Sequence, residues 1–348
     1  MDEEVTKEEA CVALHLDHEK TCWGCGLRLI LSSYSPIFKC GWCGAITNQN
    51  KSSRKPDSIC FSRWRHLRDW LFVTILIIFK LFVICAGVWA VYPTIFSISY
   101  FCGVFHCVIA AILSVCTFSS FCLAAFRSPG EPLNILWGSY PYVGKDGLEN
   151  YTFCEFCAKP KPPRAHHCRS CTICVLDMDH HCPFIGNCVG ASNHRSFILF
   201  LILVVVSCVY LTVMTSYAGY HVWPPIDYGK FSLTELNSLG SMSIVKQIVV
   251  AVASSALLLP GRGLVLIYLT FASISVEIGI SVLLWQQLNY IYAGNTYINH
   301  ISSKDSLHSD RGCHNLLRFF GCPQLGYRFL LGFGNTTKLQ ESTSSKLL

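Results

Sequence analysis

Asp179-His180-His181-Cys182 lies within a run, Tyr151 to Phe200, in which cysteine and histidine recur at short intervals. Upstream stand Cys154-x2-Cys157 and His166-His167-Cys168-x2-Cys171-x2-Cys174; downstream stands Cys188. Eleven cysteines and histidines fall between Cys154 and Cys188, both included, and Pro160, Pro162, Pro163 and Pro183 interrupt any helix through this stretch. A segment so poor in apolar side chains cannot build a core of its own. Metal is the natural ordering agent.

Structural zinc takes four nitrogen or sulfur ligands, and a Cys-x2-Cys pair supplies two of them from one turn. Two such half-sites are present, Cys154/Cys157 and Cys168/Cys171. Each needs two more ligands from His166, His167, Cys174, His180, His181, Cys182 and Cys188. Eight of the eleven residues fill two sites and three are left over; spacing alone does not say which three.

From Phe153 to Phe200 the run resembles, without a gap, the cysteine-rich domain of the Asp-His-His-Cys family of protein S-acyltransferases (palmitoyltransferases). The shared features are Cys-x2-Cys, Lys161-Pro162-Pro163-Arg164, His-His-Cys-x2-Cys-x2-Cys, Met178-Asp179-His180-His181-Cys182-Pro183, Asn187-Cys188-Val189-Gly190 and Asn193. Many fixed positions agree at once, so the signal is specific. The resemblance implies one zinc on Cys154, Cys157, His167 and Cys174. It implies a second on Cys168, Cys171, His181 and Cys188, which leaves His166, His180 and Cys182 free.

The resemblance implies acyl transfer through that leftover set. Cys182 is the nucleophile; thiolate is the attacking form of cysteine. His180 takes the thiol proton, and Asp179 orients His180 and stabilises its imidazolium, as carboxylates do in other triads. The donor is a long-chain fatty acyl-CoA, and the acceptors are cysteine-bearing, membrane-associated substrate proteins. Lys161, Arg164 and His166 match the family's basic face and suit the CoA phosphates. Phe184 stands where the family commonly has tryptophan and is expected to wall the acyl cavity.

Outside this run the chain reads as membrane-embedded. Of 348 residues, 52% are hydrophobic and 14% charged, and the mean hydropathy is +0.41. Soluble domains carry roughly 25% charge. The 21 cysteines follow an acidic, polar start with no secretory leader, so a disulfide framework is not expected. The fold class expected is an α-helical polytopic membrane protein: four transmembrane helices, with a cytosolic zinc-stabilised cysteine-rich domain between helices two and three. Span one is read as Trp70 to Val91 and span two within Ile95 to Phe126, with Pro93 in the connection. Span three is Phe197 to Tyr220, and span four Gly263 to Gln286. Ser241 to Leu259, interrupted at Pro260-Gly261, is read as a helix at or outside the far membrane face. Lys80 and Glu277 sit at similar depth, and a pairing between them is expected.

The domain boundaries follow: 1–62 an N-terminal region, 70–126 spans one and two, 127–196 the cysteine-rich domain, 197–290 spans three and four with their loop, and 291–348 a tail. Lys51, Arg54, Lys55, Arg63, Arg65 and Arg68 precede span one, which places the N-terminus in the cytosol and offers contacts to anionic membrane lipid. Two crossings return the zinc domain to that side, and both termini are expected there, in the endomembrane system or plasma membrane. Within 22–43, Cys22-x2-Cys25 and Cys40-x2-Cys43 read as a small zinc ribbon, a third metal site separate from the acyltransferase core. From Thr336 the chain is polar and reads as disordered.

Three family features are weakened. Ser128-Pro129-Gly130 replaces Asp-Pro-Gly, which removes a carboxylate or moves it to Glu131. Asn295 to Asn299 keeps only Thr296 of a Thr-Thr-x-Glu motif. Asn315, within Arg311 to Phe320, is expected to bond backbone at the span ends. The competing class is a zinc-dependent membrane scaffold or transporter, which would have no use for a free His180 and Cys182. No nucleic-acid partner is expected.

Overall fold

A computed structural model of the chain describes residues 19–31, 37–48, 59–132, 145–224, 241–302 and 311–321. The basic residues Lys51, Arg54 and Lys55 and the tail from Thr336 lie outside the described residues. Four long helices dominate: α1 (Ile59–Ile98), α2 (Tyr100–Phe126), α3 (His194–Val222) and, after the shorter α4 (Ser241–Leu257), α5 (Gly261–Tyr292). Two short helices follow, α6 (Tyr297–Ser302) and α7 (Cys313–Phe320). By length and composition, α1, α2, α3 and α5 could each cross a membrane, whereas α4 is not among those that could. Apolar sequence makes helix here because a backbone in lipid must pair its own N–H and C=O groups. Large apolar side chains such as Ile78, Leu81, Phe101, Val115, Phe271 and Ile278 are therefore exposed.

The connection between the first two helices differs from the sequence reading. Pro93 lies inside α1, which continues to Ile98, and the break is at Ser99. Ile95, assigned to span two, belongs to α1 and packs with Ala90, Val91, Met214, Ala218 and Leu266. Proline removes one helical N–H donor, and neighbouring helices can supply replacements. The carbonyl that Pro93 deprives is Trp89 O, and beside it Arg262 of α5 donates to Ala90 O (2.7 Å) and to Thr94 Oγ1. The start also differs, because α1 begins eleven residues before Trp70.

The helices pack chiefly as α3 against α5 and α2, with α1 touching all three. Between α2 and α3 the chain forms three antiparallel hairpins. These are β5 (Thr152–Cys154) with β6 (Lys159–Lys161), β7 (His166–Cys168) with β8 (Ile173–Val175), and β9 (His180–Cys182) with β10 (Asn187–Val189). Two more hairpins lie near the N-terminus: β1 (Glu19–Thr21) with β2 (Arg28–Ile30), and β3 (Ile37–Lys39) with β4 (Ile46–Asn48).

Polar side chains weld the hairpins to the bundle. Asn187 Nδ2 donates to Ala124 O, Ala125 O and Arg127 O, satisfying carbonyls that α2 leaves open at its C-terminus. Asn193, fully buried, donates to Ala124 O and Cys188 O and accepts from Gly190 N. Where the family has Asp-Pro-Gly, Ser128 Oγ accepts from Gly130 N at 3.3 Å, and beside it Pro129 O accepts from Ser192 N and Gly130 O from Leu176 N. Glu131 is exposed.

Gly190 sits where these segments converge. A Cβ there would approach Pro129 O to 2.7 Å and Leu176 O to 3.0 Å, both backbone atoms that cannot swing aside. Gly190→Ala is expected to destabilise the fold by about 1–3 kcal/mol through overpacking. A lowered thermal midpoint of the detergent-solubilised protein checks this.

Candidate active site and metal centres

The three central hairpins repeat one plan. Cys154, Cys168 and Cys182 each end a first strand and are spaced fourteen residues apart. Three residues after each come Cys157, Cys171 and Ile185. The next position takes positive φ in all three: Ala158 (50°), Thr172 (58°) and Gly186 (62°). At mid-hairpin the cross-strand pairs are Phe153↔Pro160, His167↔Cys174 and His181↔Cys188. The first two hairpins thus offer a tip cysteine pair, and the second and third a middle His/Cys pair.

Tip pairs meet the middle pair of the next hairpin. Cys154, Cys157, His167 and Cys174 come together, as do Cys168, Cys171, His181 and Cys188, with the ligand atoms of each set within 4.8 Å of one another. Cys157 Sγ lies 3.1 Å from His167 Nδ1 and 3.7 Å from Cys174 Sγ. Cys171 Sγ lies 3.4 Å from His181 Nδ1 and 3.5 Å from Cys188 Sγ. A tetrahedron of zinc–sulfur bonds of about 2.3 Å has edges of about 3.8 Å, so these sets fit the ion. Fixed thiols this close share few protons. Hydrogen bonding from Cys174, against burial, lowers Cys154 to about 5, and hydrogen bonding with Cys168 pushes Cys188 up.

A third set gathers Cys22, Cys25, Cys40 and Cys43. Cys22 to Cys43 and Cys25 to Cys40 are each 3.7 Å between sulfurs, and Gly26 and Gly44 take the positive φ after each tip. As a ligand set it stands apart from the other two, as the sequence reading has it, but its hairpins are joined to the cysteine-rich domain. Leu148 N donates to Cys43 O, Asn150 N to Gly44 O and Ile46 N to Tyr151 O. Leu148 packs among the ribbon cysteines, Trp23 lies 5.5 Å from Phe153 between ring centroids, and Lys39 pairs with Glu149. The ribbon is built onto the strand that leads to Cys154.

Cys182 and His180 stand outside all three sets. Asp179 is completely buried. Its Oδ2 meets His180 Nδ1 at 2.7 Å and Gln287 Nε2 at 3.0 Å, and its Oδ1 accepts from Tyr297 N at 2.7 Å. Burial opposes ionisation, but the bonds from His180 and Tyr297 outweigh it and hold the carboxyl below its ordinary range. Burial likewise opposes a charged His180, yet hydrogen bonds with Asp179 and with Cys182 raise it to about 9. The charged form of His180 is thereby favoured. Its ring meets Phe197 edge-on, with centroids 5.5 Å apart.

The Cys182 side chain opens into a cavity of about 570 Å³ between α1, α2, α3 and α5, with Phe184 and Ile185 beside it. That size is usual for a ligand pocket of about 300–1,000 Å³. Lys80 is on the wall. The expected Lys80–Glu277 ion pair is not formed: the ammonium donates to Ser114 O (3.2 Å) and lies 5.2 Å over the Phe118 ring. Equal depth does not fix direction around a helix, and Glu277 instead lies near Cys208 of α3.

Of the basic residues matched to the CoA face, Arg164 pairs with Asp177 at 2.8 Å and His166 Nε2 meets Asn299 Oδ1 at 3.4 Å. Lys161 ends β6. Burial pushes His166 down, favouring its uncharged ring. Asn315 donates to Tyr292 O at the end of α5, as expected. The segment around Thr296 braces the site through the Tyr297 N–H, a backbone group that no side-chain motif reveals. Sequence reasoning missed Gln287 and Asp69; the second was visible as the acid at the end of the basic run, directly before span one.

Residues 148–304 match a family model described as DHHC palmitoyltransferase. Palmitoyltransferase pfa3 of Aspergillus fumigatus is 37% identical over 145 residues, covering 36% of this chain and 26% of the relative. Palmitoyltransferase ZDHHC15 of Xenopus laevis is 45% identical over 71 residues, 20% of this chain and 21% of the relative. Palmitoyltransferase ZDHHC16A of Danio rerio is 40% identical over 88 residues, 25% and 23%. The chain thus spans about a quarter of the length of these curated relatives.

Proposed function

We propose that this chain, whose residues 148–304 form a DHHC palmitoyltransferase domain, is an integral-membrane protein S-acyltransferase. It would move a long-chain acyl group from acyl-CoA, through an acyl-cysteine intermediate, to cysteines of membrane-associated proteins. One observation carries the reading: a thiol outside every metal cluster, two residues along β9 from a carboxylate-held histidine, lines an apolar cavity.

The chemistry runs as two thioester exchanges. Cys182 gives its proton to His180 and its sulfur attacks the acyl-CoA carbonyl carbon. The bond from that carbon to the CoA sulfur breaks, and CoA departs as a thiol with the proton returned by His180. A substrate cysteine then repeats the attack on the Cys182 thioester with the same proton traffic. Asp179 keeps the His180 ring oriented and offsets its charge. The acyl chain lies in the cavity, which places its thioester beside Cys182. Lys161, Arg164 and His166 are the proposed phosphate contacts.

Cys154, Cys157, His167 and Cys174 would hold one zinc, Cys168, Cys171, His181 and Cys188 a second, and Cys22, Cys25, Cys40 and Cys43 a third. Bound zinc would supply rigidity to hairpins whose own buried clusters are small and built largely of the ligand cysteines. Purified protein is expected to carry three zinc ions, and a Cys22→Ala/Cys25→Ala variant two; metal analysis reads the difference. The proposed arrangement keeps the boundaries 1–62, 70–126, 127–196, 197–290 and 291–348, with the zinc domain and both termini cytosolic in the endomembrane system or plasma membrane. Tag accessibility from each side checks that orientation.

The activity itself is tested by incubating detergent-purified protein with a fatty acyl-CoA. Hydroxylamine-labile acyl label on the chain with equimolar CoA release is the expected result. No label with intact zinc content would overturn the reading.

A further inference from the structure

The second metal cluster has a support from outside the hairpins. His181 turns Nδ1 toward the cluster, 3.4 Å from Cys171 Sγ and 3.6 Å from Cys188 Sγ. Its Nε2 points the other way, 2.9 Å from Asp69 Oδ2. Asp69 is not part of the hairpins; it belongs to α1 and is only 3% exposed. Its other oxygen takes two bonds from the Arg68 guanidinium, at 2.9 and 2.8 Å. Among the described residues no carboxylate meets the other nitrogen of His167, the corresponding histidine of the first cluster, whose ring stacks on Phe156 instead.

We infer that Asp69 is a positioning residue: it fixes the His181 ring for the second metal site and ties the Cys182 hairpin to the first membrane helix. An acceptor on Nε2 keeps the proton there and leaves the Nδ1 lone pair for a metal. Carboxylate partners of this kind orient metal-bound histidines, and their loss typically costs about 10–100-fold in metal affinity. His181 lies between His180 and Cys182 on β9, so its ring and theirs share one three-residue strand. The hairpin turn seats on the same stretch of α1: a Cβ on Gly186 would come 3.1 Å from Val73 Cγ2 and 3.9 Å from Asp69 O. Arg65 adds a bond to Arg169 O at 3.4 Å. The cavity wall continues up α1 through Leu76, Ile77 and Lys80. One carboxylate thereby sets the metal site, the nucleophile and the acyl cavity in register.

This inference rests on the proposed zinc ligands, so the test begins with wild-type metal content. Detergent-purified wild type, Asp69→Asn and Asp69→Leu are followed by zinc transfer to a chromogenic chelator, and by autoacylation across acyl-CoA concentrations. One zinc ion per chain is expected to leave about 10–100-fold faster in Asp69→Leu, and about 10-fold faster in the shape-conserving Asp69→Asn. The remaining ions should leave at wild-type rates. Autoacylation kcat should fall in both variants with KM for acyl-CoA little changed. Should Asp69→Leu fail to accumulate, Asp69→Asn decides alone. Equal release from Asp69→Asn and wild type overturns the inference while leaving the metal sites standing. A wild type without zinc overturns the metal sites and the inference together.

Discussion

Cys182→Ser is expected to abolish acyl labelling and transfer, with a loss of at least about 10⁴-fold, while the three cysteine clusters and their zinc content stay intact. The magnitude follows from removing a covalent nucleophile: in enzymes where nucleophile and base act as a unit, losing either alone costs about as much as losing both. A hydroxyl is almost wholly protonated at neutral pH and attacks a thioester far more slowly than a thiolate. The side chain is only 7% exposed, within the core cluster that includes Ile185, Val189, Phe197 and Leu201. Serine conserves its shape, so the fold should not change. Zinc content, thermal midpoint and acyl incorporation measured on one preparation separate the outcomes. Wild-type labelling of Cys182→Ser would place the acyl group on another residue and end the proposed mechanism. Loss of labelling accompanied by loss of zinc would show that Cys182 is a ligand.

Asp179→Asn is expected to be nearly as severe in rate, about 10³–10⁴-fold, and to cost stability as well. The carboxylate accepts from three donors: the His180 ring, the Gln287 amide and the Tyr297 backbone N–H. An asparagine has one oxygen for them, and its NH2 must face at least one donor inside a fully buried site. Leaving such a group unsatisfied costs about 1–3 kcal/mol. In serine proteases the same carboxylate-to-amide change at the histidine's partner lowers kcat by about 10⁴ through the wrong ring tautomer. The readouts are autoacylation rate, thermal midpoint, and KM for acyl-CoA, which should hold because Asp179 is not placed at the phosphate contacts. A variant retaining more than about a tenth of the wild-type rate would show that His180 keeps its tautomer without the carboxylate.

What could be read beforehand, and what could not, divides along a physical line. The cysteine and histidine positions were legible because ligand chemistry tolerates few residue types, and the grouping implied by the family resemblance is the grouping the hairpins bring together. The four long helices were legible from the length and apolarity that lipid demands. Contacts that depend on direction around a helix were not. Lys80 and Glu277 share a depth but face different neighbours. Asp69 and Gln287 meet His181 and Asp179 across more than a hundred residues of chain, and no local pattern encodes that. Pro93 misled because proline is read as a break, while Arg262, far along the chain, supplies donors at that turn. The ribbon's attachment was hidden for a further reason: it is made by backbone bonds to Leu148, Asn150 and Tyr151, which leave no residue-type signature.

The fourteen-residue plan of the hairpins also says where the proposed nucleophile came from, chemically. Cys182 occupies the tip position that captures metal in the two hairpins before it, with Ile185 in place of a second sulfur and no following hairpin to close the cage. The helix bundle stands where that fourth hairpin would be. Reactivity is then a property of the ladder's open end, and it survives only while the ladder stays open. A further hairpin at that end together with a second thiol at 185 would complete a cage of four ligands around Cys182 and withdraw the proposed nucleophile into it.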